Sequence, residues 1–205
     1  AQPNGDIVWD GCVIDISQRI LATQNLKQRE TLLDGIAKST SCLLTTQDYD
    51  KSINTALAEL GKATESDRIY IFENSSQKLT KELFLSQRWE WVNSGINSEQ
   101  DYPLLQNLSY DNFPPLWYEQ LRIGKSIISL EDASQIIGSR SIFVIPIQVK
   151  GKWWGFIGFE DYTFLRQWSD AEKSILQAFA MNLGGAIAQH ETECQLKKLN
   201  HELEY

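Results

Sequence analysis

The stretch Ser141–Asp161, SIFVIPIQVKGKWWGFIGFED, constrains the fold of this 205-residue chain more than any other. Ser141–Val149 is dense in β-branched and aromatic residues, and Trp153–Phe159 is aromatic with Gly155 and Gly158 interspersed. Two such runs around the short Lys150-Gly151-Lys152 connection predict a β-hairpin. The two strand glycines carry no side chain, so a packed helix or a ligand approaches the backbone closely there.

The remaining pattern is laid around that hairpin. Ile7–Ile16 reads as a short strand, and Asp15-Ile16-Ser17 supplies helix-start chemistry with Ser17 as N-cap. From Gln18 to about Leu44 the pattern is helical. Its middle, Thr23–Thr31, is mostly polar, as in helices that bridge domains or pair with a twin. Tyr49–Thr64 places Ile53, Ala56, Leu57 and Leu60 on one helical face. Asp67–Glu73 alternates as a strand, and we assign Ile69 and Ile71 to the helix side, leaving Tyr70 and Phe72 on the other. Glu82–Val92 is a second strand, paired with the first. The long Asn93–Pro115 connection precedes a short helix, Leu116–Arg122, ended by Gly124. Lys125–Leu130 is a third strand and Glu131–Ile137 a short helix. Ser169 and Glu172 form a capping box that opens the last helix. Leu176, Phe179, Leu183 and Ile187 make its core stripe, and Leu196, Leu199 and Leu203 continue it at coiled-coil spacing. Strands and helices without strict βαβ alternation predict an α+β fold, an antiparallel sheet with its helices on one face.

Composition narrows the function. Lys and Arg total 19 against 27 Asp and Glu, a net charge of -8, which disfavours nucleic-acid and anionic-membrane surfaces. No apolar run reaches the ~20 residues that span a bilayer. Cys12, Cys42 and Cys194 are widely spaced and odd in number, the usage of a reduced, cytoplasmic protein. The only methionine is Met181, and the chain stops within a polar helical pattern, so we expect a segment of a longer polypeptide. No nucleophile elbow, P-loop or zinc-protease motif occurs, and both histidines, His190 and His201, fall on the last helix. No enzymatic activity and no metal site are expected.

DRIYIFE (67–73), SQRWEWVNSGI (86–96), YPLLQNLSYDNFPPLW (102–117), the 141–161 hairpin and WSDAEKSILQAFAMNLGGAIA (168–188) together resemble a GAF domain of bacterial multidomain sensor proteins, including histidine kinases. The resemblance implies a mostly antiparallel sheet of five or six strands, a helix bundle on one face, a small-molecule pocket on the other, and long terminal helices. IVWDGCVIDISQR (7–19) resembles the last strand of a PAS domain and its exit helix. The implied organisation is a PAS remnant over 1–17, a linker helix over 18–30, the GAF domain over 31–189, and a coiled-coil exit over 190–205. It further implies a regulatory module, homodimeric through Leu33, Ile36, Leu183, Ile187, Leu196, Leu199 and Leu203, relaying a ligand- or PAS-derived signal to an output domain.

Within the family, bilin and haem sites need a pocket cysteine or histidine, and none stands between Cys42 and His190, so neither cofactor is expected. Two alternatives remain in view. A methionine sulfoxide reductase-type redox enzyme needs pocket-loop cysteines, and here the cysteines lie on flanking segments. A cyclic-nucleotide receptor carries Asn-Lys and then Phe-x-x-x-Asp-Glu. Here Phe156 precedes Glu160-Asp161 in reversed order, no Asn-Lys exists, and the strand is expected to end in solvated acids. LNHELE around His201 resembles a kinase phosphoacceptor helix but lacks the Arg-Thr-Pro that follows there. For an unknown small molecule the candidate pocket residues are Tyr70, Phe72, Arg88, Trp91, Asp101, Trp117 and Trp154, with Arg88 and Asp101 as polar anchors. The bland reading is that these aromatics simply fill the sheet's second face.

Overall fold

The computed structural model describes residues 14–45, 48–76, 82–100, 102–130, 139–163 and 165–203. The strand expected over Ile7–Ile16 lies outside the described residues up to Val13, and Ile14–Ile16 are irregular and exposed. Cys12, Asp101 and the helix expected over Glu131–Ile137 also lie outside them.

The elements run α1 (Ser17–Thr45), α2 (Tyr49–Thr64), β1 (Arg68–Ser76), β2 (Leu83–Val92), β3 (Leu108–Ser109), α3 (Pro115–Arg122), β4 (Ile127–Leu130), β5 (Ser141–Val149), β6 (Lys152–Asp161) and α4 (Asp170–Leu203), with 3-10 turns at Pro103–Leu105 and Tyr110–Asn112. Helix α1 begins with the Asp15 carboxylate accepting the Ser17 N–H at 2.9 Å. The cap therefore comes from Asp15, not from Ser17 as expected, because its carboxylate reaches a free N–H of the first turn. At α4 the expected capping box is present: the Ser169 N–H donates to Glu172 at 2.8 Å and the Glu172 N–H donates to the Ser169 hydroxyl at 3.3 Å.

The strands form one six-stranded sheet in the order β3-β2-β1-β6-β5-β4, every pairing antiparallel. Its two faces build separate cores. On one, Ile69, Ile71, Phe143, Ile145, Ile157 and Phe159 pack against α2 and α4. On the other, Tyr70, Phe72, Leu85, Ile142, Val144 and Phe156 meet α3 and the 102–113 segment. The division of β1 predicted from alternation, Ile69 and Ile71 against Tyr70 and Phe72, is the one observed.

Two β-bulges break alternation elsewhere. Between β1 and β2 the register steps from Ile71 opposite Trp89 to Phe72 opposite Gln87, leaving Arg88 as the extra residue. Leu85 therefore faces the α3 side while Trp89 and Trp91 face the helices. Between β5 and β6 the register steps from Ile147 opposite Gly155 to Gln148 opposite Trp153, so Trp154 is extra. Trp153 then joins the α3 side and Trp154 the helix side.

Helices α1 and α4 lie side by side and parallel. The Asn182 amide reaches the Thr40 hydroxyl at 3.4 Å, while Asn25, Arg29 and Leu32 border Ser169, Glu172 and Ile175. Residues 17–31 of α1 are exposed throughout until Leu32 enters the core, and α4 is exposed throughout from Gln195. The pair is thus a staggered spine. One exposed half precedes the sheet-bound region and the other follows it, and the helix runs unbroken through the boundary expected at residues 30 and 31.

Candidate functional site

On the α3 side of the sheet, beside β1, lies a cavity of about 340 Å³, at the lower end of the size of small-ligand sites. Its walls are Tyr70, Phe72, Leu105, Leu108 and Phe113, with Tyr102 and Leu104 at the rim. One end is ionic, formed by Arg68, Glu99 and Glu160. Larger grooves run beside α1, one of about 530 Å³, lined by helix-surface side chains such as Gln24, Lys27 and Gln28. The sheet cavity combines apolar walls with a few converging polar groups, the combination that binds small molecules.

Strand geometry creates the ionic end. Arg68, Tyr70 and Phe72 alternate on one face of β1, and Arg68 stands opposite Glu160 of β6. The Arg88 bulge brings Gln87 and Glu90 of β2 onto the same face. The Arg68 Nε donates to Glu90 at 2.6 Å, Nη2 to Gln87 Oε1 at 3.1 Å, and Nη1 to Glu160 at 3.4 Å. Glu99 closes on Nη1 at 2.9 Å. The second oxygen of Glu90 accepts the Ser98 hydroxyl and the N–H groups of Glu99 and Gln100, at 2.8 and 3.0 Å for the last two. One buried carboxylate thus ties the start of the long connection to the sheet.

Glu160 is fully buried. One of its oxygens accepts the Tyr162 hydroxyl at 2.8 Å; the other, Oε1, has no hydrogen-bond partner. Burial pushes its carboxyl up, against the opposing pull of Arg68, Tyr162 and Tyr70. The Tyr70 ring lies flat over Gly158, where any Cβ would fall 2.6 Å from the phenol oxygen and closer to the ring carbons. Gly158 therefore seats the cavity wall. The neighbouring acid, Asp161, is also buried, its carboxyl pushed up to about 6 by burial. The expectation that β6 ends in solvated acids is thus corrected. Strand β6 is interior to the sheet, and its end is covered by Asp67, Tyr162 and Arg166.

The sequence-derived pocket residues separate. Tyr70 and Phe72 line the cavity. Trp117 is on the same side, packed on Phe113 and edge-on to Phe156, filling the space beside the cavity. Trp91 and Trp154 are on the opposite face, half-buried against the helix-side core, and are corrected as pocket residues; Trp154 stacks on Trp89. The bulge at Trp154 reverses its direction, and Trp91 follows Ile69, its cross-strand partner. Arg88, extruded by its own bulge, pairs with Glu73 at 3.0 Å on the surface rather than anchoring a ligand. Of the proposed dimer residues, Leu183 and Ile187 are buried in the chain's own core and cannot face a partner, and Ile36 is half-buried against it. Leu33, Leu196, Leu199 and Leu203 are exposed.

Sequence reasoning missed Arg68, Glu90 and Glu99 and placed Glu160 in solvent. A signal was there for Arg68: it shares the period-two face of Tyr70 and Phe72, so a buried charge needing partners follows from alternation alone. Cys42 packs against the helix-side core, and Cys194 contacts His190, whose ring stacks on Tyr49 at 3.7 Å.

A curled antiparallel sheet with helices on one face and a cavity on the other is a GAF-like fold, and the chain belongs to the GAF family, a family of regulatory modules: the GAF domain model matches residues 48–187. Over 202 residues the chain is 35% identical to the methanogenesis regulatory histidine kinase FilI of Methanothrix harundinacea. That match covers 95% of this chain and 23% of the relative, so the chain spans about a quarter of its length. The fold is similar to the phycocyanobilin-bound GAF domain of a cyanobacterial phytochrome, with a TM-score of 0.62 at 19% identity, covering 78% of this chain and 95% of that one. It is also similar to the GAF domain of an Acinetobacter phosphoenolpyruvate-protein phosphotransferase, with a TM-score of 0.56 at 16% identity, covering 78% and 94%. Among the described residues no helix is long and apolar enough to cross a membrane.

Proposed function

We propose that this GAF domain is the sensory relay of a longer, cytoplasmic signalling protein of the sensor histidine kinase type, without catalysis of its own. A small molecule in the β1 cavity, or a shift from a preceding PAS domain, changes the packing of the α1–α4 spine. The exposed halves of the spine pair with a second copy and pass the change to an output domain. The observation that carries this reading is the double use of β1 and β6. Arg68, Tyr70, Phe72 and Glu160 border the cavity, while Ile69, Ile71, Ile157 and Phe159 of the same strands lie in the helix-side core. One strand's thickness separates ligand from helix core. A ligand acts here through its different affinity for two helix arrangements. The kinase relative supports the setting.

Two measurements test the proposal. In analytical ultracentrifugation the chain dimerises and a version truncated after Ala188 does so at least tenfold more weakly; monomeric behaviour of both at high concentration refutes the dimer. Filling the cavity with Leu108→Trp alters amide hydrogen exchange across α4 beyond Leu183. Exchange there that is unchanged, with the cavity filled, refutes the relay.

A further inference from the structure

Taking the cavity as the ligand site of the relay, the chemistry of its ionic end decides what class of molecule fits. Three carboxylates, Glu90, Glu99 and Glu160, surround one guanidinium, that of Arg68. Glu90 is saturated: one oxygen takes Arg68 Nε, the other a hydroxyl and two backbone N–H groups. Glu160 is not. Its Oε1 is buried and accepts nothing, and Glu160 is one of the residues that line the cavity. An unfilled carboxylate acceptor in an apolar surround costs free energy, which a donor entering the cavity recovers. With all three ionised, the acids outnumber the cation by two, and with Glu160 protonated by one, so the local field repels a carboxylate or phosphate and favours a positive head. Beyond that end the walls are rings and leucines, Tyr70, Phe72, Phe113, Leu105 and Leu108, and they suit an apolar body. Electron-rich ring faces add to the preference for a cation.

We propose that this site binds an organic cation, a small apolar or aromatic body carrying one protonated amine or amidine, with the head donating to Glu160 Oε1 and facing Glu99, and the body held between Tyr70, Phe72 and Phe113. Burial raises the Glu160 carboxyl when the site is empty. A cation draws out its ionised form, so any proton on it is released on binding. Affinity therefore rises with pH until Glu160 is fully ionised in the free protein.

The test uses a matched triplet, phenethylamine, 2-phenylethanol and 3-phenylpropionate, titrated calorimetrically into the full chain. The expected order is amine first, alcohol at least tenfold weaker, and carboxylate weakest. Glu160→Gln should cost the amine at least tenfold and leave the alcohol within twofold. The wild-type ranking alone decides the matter should that variant fold poorly. Equal or tighter binding of the alcohol or carboxylate, abolished by Leu108→Trp, overturns the cation assignment and leaves the ligand-binding reading standing. Failure of all three, and of a broader panel of neutral and anionic aromatic fragments, overturns both.

Discussion

Gly184 and Gly185 adjoin in α4, and alanine at the two should act with opposite sign. A Cβ on Gly184 falls well inside contact distance of the Gln148 carbonyl oxygen on β5, 3.3 Å from its carbon and 3.5 Å from Ile147 Cγ2, whereas a Cβ on Gly185 meets nothing within 4 Å. The obstacle at Gly184 is backbone, and Gln148 is held opposite Trp153 of β6, so it recedes only by disturbing the β5–β6 pairing. Both substitutions gain the same helix-interior preference of alanine, about 0.5–1 kcal/mol. Only Gly184→Ala adds an overpacking cost of about 1–3 kcal/mol. Gly185→Ala should therefore be more stable than the parent and Gly184→Ala less stable, with a gap of about 1–3 kcal/mol. For a chain of this size each kcal/mol moves Tm by about 2–4 °C. Urea unfolding followed by circular dichroism, with thermal melts beside it, reads the gap directly. If Gly184→Ala equals or exceeds Gly185→Ala in stability, α4 does not ride on the β5 backbone as described, and the coupling of spine to sheet loses this contact.

Three further outcomes follow from the buried polar groups and caps. Arg68→Met leaves the carboxylates of Glu90 and Glu160 buried without their cation, and should cost about 3–5 kcal/mol in urea unfolding; a loss under about 1 kcal/mol would refute the network's role. Asp161, raised to about 6 by burial, holds its proton more tightly folded than unfolded, so its share of stability is fully present below about pH 4 and is lost as pH rises through about 6. Relative to the parent, Asp161→Asn should accordingly gain stability between pH 4 and 6 and hold that difference above it, and a difference independent of pH would refute the burial argument. Ser169→Ala removes the capping hydroxyl of α4 and should cost about 0.5–2 kcal/mol, with faster hydrogen exchange confined to the helix's first turn.

The parts legible in the sequence were those set by local periodicity. Alternation in Asp67–Glu73 separated Ile69 and Ile71 from Tyr70 and Phe72, and the capping box at Ser169 marked where α4 begins, because both depend on neighbours a few residues away. The 3.6-residue stripe likewise found Leu176, Phe179, Leu183 and Ile187, although it could not say that the last two are spent on this chain's own core rather than on a partner. The parts that were not legible depend on single-residue insertions in strands. The bulges at Arg88 and Trp154 leave composition unchanged yet reverse every side chain beyond them, turning Trp154 to the helices and bringing Glu90 beside Gln87. The cavity's ionic end joins Arg68, Glu90, Glu99 and Glu160, residues up to 92 positions apart in the chain. Sequence by itself determined which faces each element would bury, since that follows from the pitch of a helix and the pleat of a strand. Only the tertiary structure decided which acids would meet Arg68 and leave an oxygen open, since that depends on how separate strands fall into register.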